Sequence, residues 1–281
     1  MTLEKSLDYL SIIGDGTAYN KEWDYLWVET HKSQYTASEV ISKLTPEDIQ
    51  YLNSKINDMQ RSNLYQRKTD CHGKRHVENV MLFAGIIAIY EQLTGPDRDL
   101  LMEAAKYHDQ GRDNDFDEQH GIESAYIAGR DLQDKYTEEE IKIIQAAIIF
   151  HDDRTKGTSI KEIEDEGFAK IAERLNLSQE GIKRARVIGN ILKDADALDR
   201  ARFTSQKSPI GEQFLRTDTS LKLIQVAFQL HEAYSLDDLD ELLKTETPEI
   251  ISEVTDYKNA TSPIRAKKHY IKDILKRGKT M

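Results

Sequence analysis

Four runs of apolar residues recur along this chain at helical spacing, and each run meets a histidine or an aspartate at one end. Val77, Val80, Met81, Ala84, Ile87 and Ala88 form the first stripe, with His76 at its head. Leu100, Leu101, Ala104 and Ala105 form the second and lead into His108-Asp109. Ile141, Ile144, Gln145, Ile148 and Ile149 run up to His151, and Val187, Ile188, Ile191, Leu192 and Ala195 run up to Asp196. Apolar residues repeating at three and four positions predict helices that bury one face. Strand-type alternation is scarce and the chain has only 5 prolines, so the expected fold is all-α. Thr45-Pro46-Glu47-Asp48 and Thr137-Glu138-Glu139-Glu140 read as helix starts, a threonine cap followed by acidic residues. Thr94-Gly95-Pro96-Asp97 is expected to end one helix and open the next.

The bulk properties narrow the function classes. With 281 residues, 38% hydrophobic and 32% charged, the chain has material for a large core under a polar surface. A formal net charge of -11 repels nucleic-acid backbones, so no extended nucleic-acid partner is expected. A bound metal overrides that charge locally, which keeps small anionic substrates in play. Cys71 is the single cysteine, so no intrachain disulfide forms. The opening MTLEKSLDYLSIIGDG lacks a secretory pattern, and the apolar stretch from Met81 to Tyr90 is too short to span a bilayer. No membrane association and a cytoplasmic location are therefore expected. Three regions stand out: an aromatic-rich helical stretch over 1–60, a central core over 61–205 and further helices over 206–281, expected to form one compact domain. Trp23 and Trp27, one turn apart, read as packing residues. The closing run with Arg265, Lys267, Lys268, Lys272, Lys276, Arg277 and Lys279 reads as a solvated last helix.

Imidazoles and carboxylates delivered to a core are costly unless paired or bound to a metal. A lone histidine on an apolar face is ordinarily a satisfied core residue. His76, His108, Asp109, His120, His151 and Asp196 each stand at a helix end or an apolar face, and that recurrence points to a shared cation. Nitrogen and oxygen donors without cysteine suit Mn, Fe, Zn, Ni, Co or Mg and argue against a structural zinc finger.

The segments Arg-His-x-x-x-Val at His76, His-Asp-x-x-Arg at His108-Asp109, His-Gly-x-x-Ser-Ala at His120, Ala-x-x-x-Phe-His at His151 and Asp-Ala-Asp-x-Leu-Asp-Arg at Asp196 follow one another in order. Over residues 72–202 the chain resembles the HD superfamily of metal-dependent phosphohydrolases, specifically its dinuclear subset. The resemblance implies a helical bundle and two divalent or trivalent transition metal ions per chain. His76, His108, Asp109 and Asp196 would hold the first ion; Asp109 would bridge to a second completed by His120 and His151. An ionised water between the cations would attack a phosphate ester or anhydride of a nucleotide-like small molecule. Relatives of this layout include diadenosine tetraphosphate hydrolases and cyclic-nucleotide phosphodiesterases. The Gly-Tyr-Pro element of the cyclic di-GMP type is absent. Two further readings stay open: a mixed-valence di-iron oxygenase of the same superfamily, and a non-catalytic nucleotide-binding module.

Around this set, Asp109 is expected to be catalytic, and Lys106, Asp113 or a second water could supply the general acid. Arg112 and Arg200 are candidate phosphate clamps, with ion pairing to nearby acids as the alternative. Arg112 stays one turn from His108 if the helix persists past Gly111, and Arg200 shares a face with Asp196 if the helix runs that far. Lys74 and Arg75 read as rim residues, and His72 as a cleft residue or an alternative to His76. The acidic stretch from Asp113 to Asp117 fails as a calcium loop, because Glu118 and Ser124 replace the glycine and the bidentate glutamate. Its Asp115 or Asp117 is expected to orient His120. His31, His231 and His269 read as surface or packing residues.

Overall fold

Helices form where the apolar period and the caps coincide. In the computed structural model, described over residues 35–65, 72–93, 95–113, 120–152, 160–203, 210, 215–244, 246, 248–260 and 266–270, every regular element is helical and no strand occurs among these residues. Trp23, Trp27, His31, Cys71, Asp115, Asp117 and the basic residues Arg265, Lys272, Lys276, Arg277 and Lys279 lie outside the described residues. The helices are α1 Ala37–Lys43, α2 Pro46–Arg61, α3 Lys74–Tyr90, α4 Gly95–Tyr107, α5 His120–Leu132, α6 Glu138–Asp152, α7 Ile160–Arg174, α8 Gln179–Asp199, α9 Asp218–Lys222, α10 Ile224–Leu243 and α11 Pro248–Ala260.

Both expected helix starts are reciprocal caps. Thr45 Oγ1 accepts from the Asp48 N–H at 3.1 Å while the Asp48 carboxylate accepts from the Thr45 N–H at 3.2 Å. Thr137 and Glu140 repeat the arrangement at 3.4 and 2.9 Å. Just past α3, Gln92 takes the left-handed region at φ 56°, and just past α7 Asn176 does so at φ 51°; the N–H of the next residue donates back into each helix, Leu93 to the Ala88 carbonyl at 2.8 Å and Leu177 to the Ala172 carbonyl at 3.1 Å.

The chain divides into two compact units: one comprises Leu44–Arg200 and Ile210–Leu221, the other the remainder. In the first unit, α3 is buried at every position from His76 to Ala88 except half-buried Glu78, not along one stripe, because α2, α4 and α8 all pack against it. The third and fourth stripes depart from expectation. In α6 the buried set includes Ile143, Ala146, Ala147 and Phe150 beside Ile144 and Ile148, while Ile141, Gln145 and Ile149 are only half-buried. α6 lies among α4, α5, α7 and α8, so several of its faces are covered. In α8, Ile188, Ile191, Leu192 and Ala195 are buried but Val187 is exposed. Asp194, fully buried, ties the segment around α9 to α8: it accepts from the backbone N–H groups of Arg216 and Thr217 at 2.9 and 2.8 Å and from Ser220 Oγ at 2.7 Å.

In the second unit, Leu239, Leu243, Ile250, Val254, Ala266 and Tyr270 form the apolar cluster that joins α10, α11 and the residues after them. His231 is buried on α10 beside Tyr234, and His269 stacks on Tyr257 at 4.2 Å, so both serve packing.

Candidate metal centre

The functional residues stand at the ends of five helices, and packing of those helices gathers them into one cluster. His76 is in the first turn of α3, His108 and Asp109 follow the last residue of α4, His120 opens α5, His151 closes α6, and Asp196 is in the last turn of α8. All six are brought together.

Asp109 stands in the middle, and its two carboxylate oxygens face different partners. Oδ2 lies 3.3 Å from His76 Nε2 and 3.6 Å from His108 Nε2. Oδ1 lies 2.9 Å from His120 Nε2 and 3.7 Å from His151 Nε2. Asp196 Oδ1 joins the first pair at 3.4 Å from His76 Nε2. Within the pairs, the Nε2 atoms of His76 and His108 are 3.1 Å apart, and those of His120 and His151 are 3.2 Å apart. Two ligands held at ~2.1 Å from one ion are about 3.0–3.4 Å apart.

The opposite edge of each ring explains why Nε2 is turned inward. His76 Nδ1 is 2.7 Å from Asp199 Oδ2, and Asn79 Nδ2 holds the other Asp199 oxygen at 2.8 Å. His108 Nδ1 is 2.8 Å from the Ala105 carbonyl. His120 Nδ1 is 3.3 Å from Asp152 Oδ2, and His151 Nδ1 is bonded to the Ile148 carbonyl. An acceptor at Nδ1 places the proton there and leaves the Nε2 lone pair for a cation. With both Nδ1 atoms protonated, facing Nε2 lone pairs cannot bond to each other, so the pairs suit a metal. Three overlapping triads, His72-His76-Asp109, His76-His108-Asp196 and His108-Asp109-His151, each bring their donor atoms within 4.8 Å.

The electrostatics agree. Burial pushes His108 down to about 3, which keeps it a neutral donor. Burial would raise Asp109, but His108 and the bonds to His120, His151 and His72 outweigh it and hold the carboxylate well below its usual range. Asp196 is likewise lowered against burial, by His76 and His108. His120 moves the other way: burial opposes a charge, yet the bond and charge of Asp109, with Asp152, raise it. The His120 half therefore attracts positive charge.

The other candidates divide. His72 Nδ1 is 2.8 Å from Asp109 Oδ2, at the edge of the cluster. Helix α4 does not persist past Gly111; it ends at Tyr107, and Arg112 follows a turn in which its N–H bonds the Asp109 carbonyl at 3.1 Å. That turn still brings the Arg112 guanidinium into the cluster, with Nη2 2.9 Å from His120 Nε2 and Nε 3.3 Å from Asp109 Oδ1. Lys74 instead donates to the Gln60 carbonyl at 2.8 Å, near the end of α2. Lys106 pairs with Glu103 at 3.8 Å and lies over the Tyr107 ring. Helix α8 stops at Asp199, which leaves Arg200 exposed on a 3-10 turn beyond the face of Asp196.

Sequence reasoning missed Asp152, Asn79, Tyr65 and the orienting role of Asp199. Asp199 lies three residues after Asp196, on the same helical face, and Asp152 directly follows His151; acids at such offsets were the available signal. Tyr65 gave none. It is buried in the left-handed region at φ 57°, and its hydroxyl accepts from the Asp109 N–H at 3.3 Å. Asp199→Ala is expected to lower affinity for the His76-side metal about 10–100-fold by releasing the His76 tautomer. Competition with a metal-sensitive dye measures it, and an unchanged affinity would show that His76 needs no such partner.

Residues 74–201 match the family model of the HD domain, a superfamily of metal-dependent hydrolases. Neither a curated protein nor a solved structure matches the chain. Among the described residues, no helix is long and apolar enough to cross a membrane.

Proposed function

Starting from an HD domain over residues 74–201, we propose that this chain is a dinuclear metal-dependent phosphohydrolase acting on a phosphate ester or anhydride of a nucleotide-like small molecule. The observation that carries this reading is that each oxygen of Asp109 faces its own pair of histidine Nε2 atoms. When bound, the ions supply Lewis acidity toward phosphoryl oxygens and an ionised water at neutral pH.

The protein's part is to hold that chemistry in place. His76, His108, Asp196 and Asp109 Oδ2 would hold one ion; His120, His151 and Asp109 Oδ1 would hold the other. Asp199, Asp152 and two backbone carbonyls keep the four rings oriented before substrate arrives. The side chains of Asp109 and the four histidines are at most 3% exposed, whereas that of Asp196 is 35% exposed. The site therefore opens on the Asp196 side, and the substrate phosphate enters there. His72, 15% exposed and bonded to Asp109, would touch the same phosphate. Arg200, on the turn just after α8, would contact the remainder of an anionic substrate.

The test is a screen of Mn- and Fe-loaded protein against nucleotides, dinucleotides and cyclic nucleotides, reading phosphate or nucleotide release together with O2 consumption. Metal-dependent release without O2 uptake is expected. Substrate loss coupled to O2 uptake, with no phosphate released, would replace hydrolysis by oxidation.

A further inference from the structure

We propose that the Arg112 guanidinium is the resident cation of the His120–His151 half of the cluster, and that a second metal ion binds there only by displacing it. The two subsites then load in a fixed order. This rests on the metal-centre reading above and adds to it how the second site is controlled.

The halves of the cluster are not equivalent. On the Oδ2 side of Asp109 the neighbouring donor is the His72 ring, at 2.8 Å. On the Oδ1 side it is a guanidinium: Nε is 3.3 Å from Oδ1, and Nη2 donates to His120 Nε2 at 2.9 Å. The Arg112 side chain is 7% exposed, so its charge is inside the site and not on the rim. Two atoms it touches, Asp109 Oδ1 and His120 Nε2, are among the three that would hold the second ion; the third, His151 Nε2, is 3.2 Å from His120 Nε2.

Two properties make occupancy exclusive. An imidazole Nε2 has one lone pair, so it bonds either an N–H or a metal. A guanidinium does not lose its proton in a protein, so it cannot yield by deprotonation and must move away as a whole. A buried monocation and a divalent ion within hydrogen-bond distance of one carboxylate also repel strongly. The move is local, because Arg112 lies beyond the end of α4 in a turn and its displacement unwinds no helix. At the first subsite the neighbour of Asp109 Oδ2 is the His72 ring, which unlike a guanidinium has a neutral form; it lies edge-on to His76 at 5.2 Å, and the Nε2 atoms of His76 and His108 still face each other.

The experiment is a Mn2+ titration of metal-free protein, with bound metal counted by equilibrium dialysis and Mn–Mn coupling read by electron paramagnetic resonance. Wild type is expected to bind one Mn2+ tightly and a second at least tenfold more weakly, with the coupled signal appearing only in the second phase. Arg112→Ala and Arg112→Gln are expected to tighten the second phase about tenfold or more, leaving the first unchanged. Arg112→Lys keeps a cation that can yield by losing a proton, and is expected to fall between wild type and the neutral variants. A second-phase affinity that is unchanged or weaker in both neutral variants, while they keep wild-type circular dichroism and the first Mn2+, overturns the proposal. So does a wild type with two equal sites. A wild type that binds no Mn2+, Fe2+ or Zn2+ overturns the metal-centre reading itself, a distinct result.

Discussion

Asp109→Ala is expected to empty both halves of the cluster at once and to abolish hydrolysis. Asp109 touches all four histidines of the two pairs, Oδ2 serving His76 and His108 and Oδ1 serving His120 and His151. Its removal takes the bridging charge from both subsites and leaves four buried rings around an uncompensated space. Losing metal-ion stabilisation of a phosphoryl transition state costs several kcal/mol, about 10³-fold or more in rate. His151→Ala touches one half only and is expected to lose one metal of two. Mass-spectrometric metal analysis of the two variants separates the cases. An Asp109→Ala protein that keeps two metals and wild-type turnover would refute the central role of this carboxylate.

Gly111→Ala is expected to have the second largest effect, although this residue touches no metal-binding atom. A Cβ at Gly111 would lie 2.5 Å from the backbone nitrogen of Ser124 and 2.7 Å from Glu123 Cβ. The first of these is backbone and cannot rotate aside. The Gly111 N–H also donates to Ser124 Oγ at 2.9 Å, so the turn carrying His108 and Asp109 is pressed onto the first turns of α5, which carries His120. Overpacking of this kind costs about 1–3 kcal/mol. Relief by parting the turn from α5 would separate Asp109 Oδ1 from His120 Nε2. A melting temperature lowered by several degrees, with the second metal lost preferentially, is the expected result. Ser124→Ala removes only the hydrogen bond and is expected to keep both metals. A Gly111→Ala protein with wild-type stability and two metals would show that the turn has slack.

The orienting groups were only partly legible in the sequence. Asp194, Asp196 and Asp199 sit within six residues of α8, and their chemistry is identical in isolation. Helical phase separates them. Asp194 turns toward Arg216, Thr217 and Ser220, while Asp196 and Asp199, three residues apart, both reach His76. Choosing among them requires knowing which neighbours cover each face. Likewise, the expectation that Asp115 or Asp117 orients His120 falls on residues outside those described, and the partner seen at His120 Nδ1 is Asp152. Asp152 is neighbour to the other histidine of that pair, which only the meeting of α5 and α6 reveals.

What the amino-acid sequence determined by itself was local and periodic. Apolar residues at helical spacing, the Thr45 and Thr137 caps and the near-absence of strand patterns set an all-α fold. The position of each histidine or aspartate at a helix end marked out which residues could meet once those helices packed together. The tertiary structure decided what distance along the chain hides. It placed both Asp109 oxygens against separate histidine pairs, turned Lys74 and Lys106 to other partners, and put the Arg112 charge inside the cluster. Those outcomes depend on side-chain direction and on which lone pairs remain once every Nδ1 has found its acceptor, and neither is encoded in spacing alone.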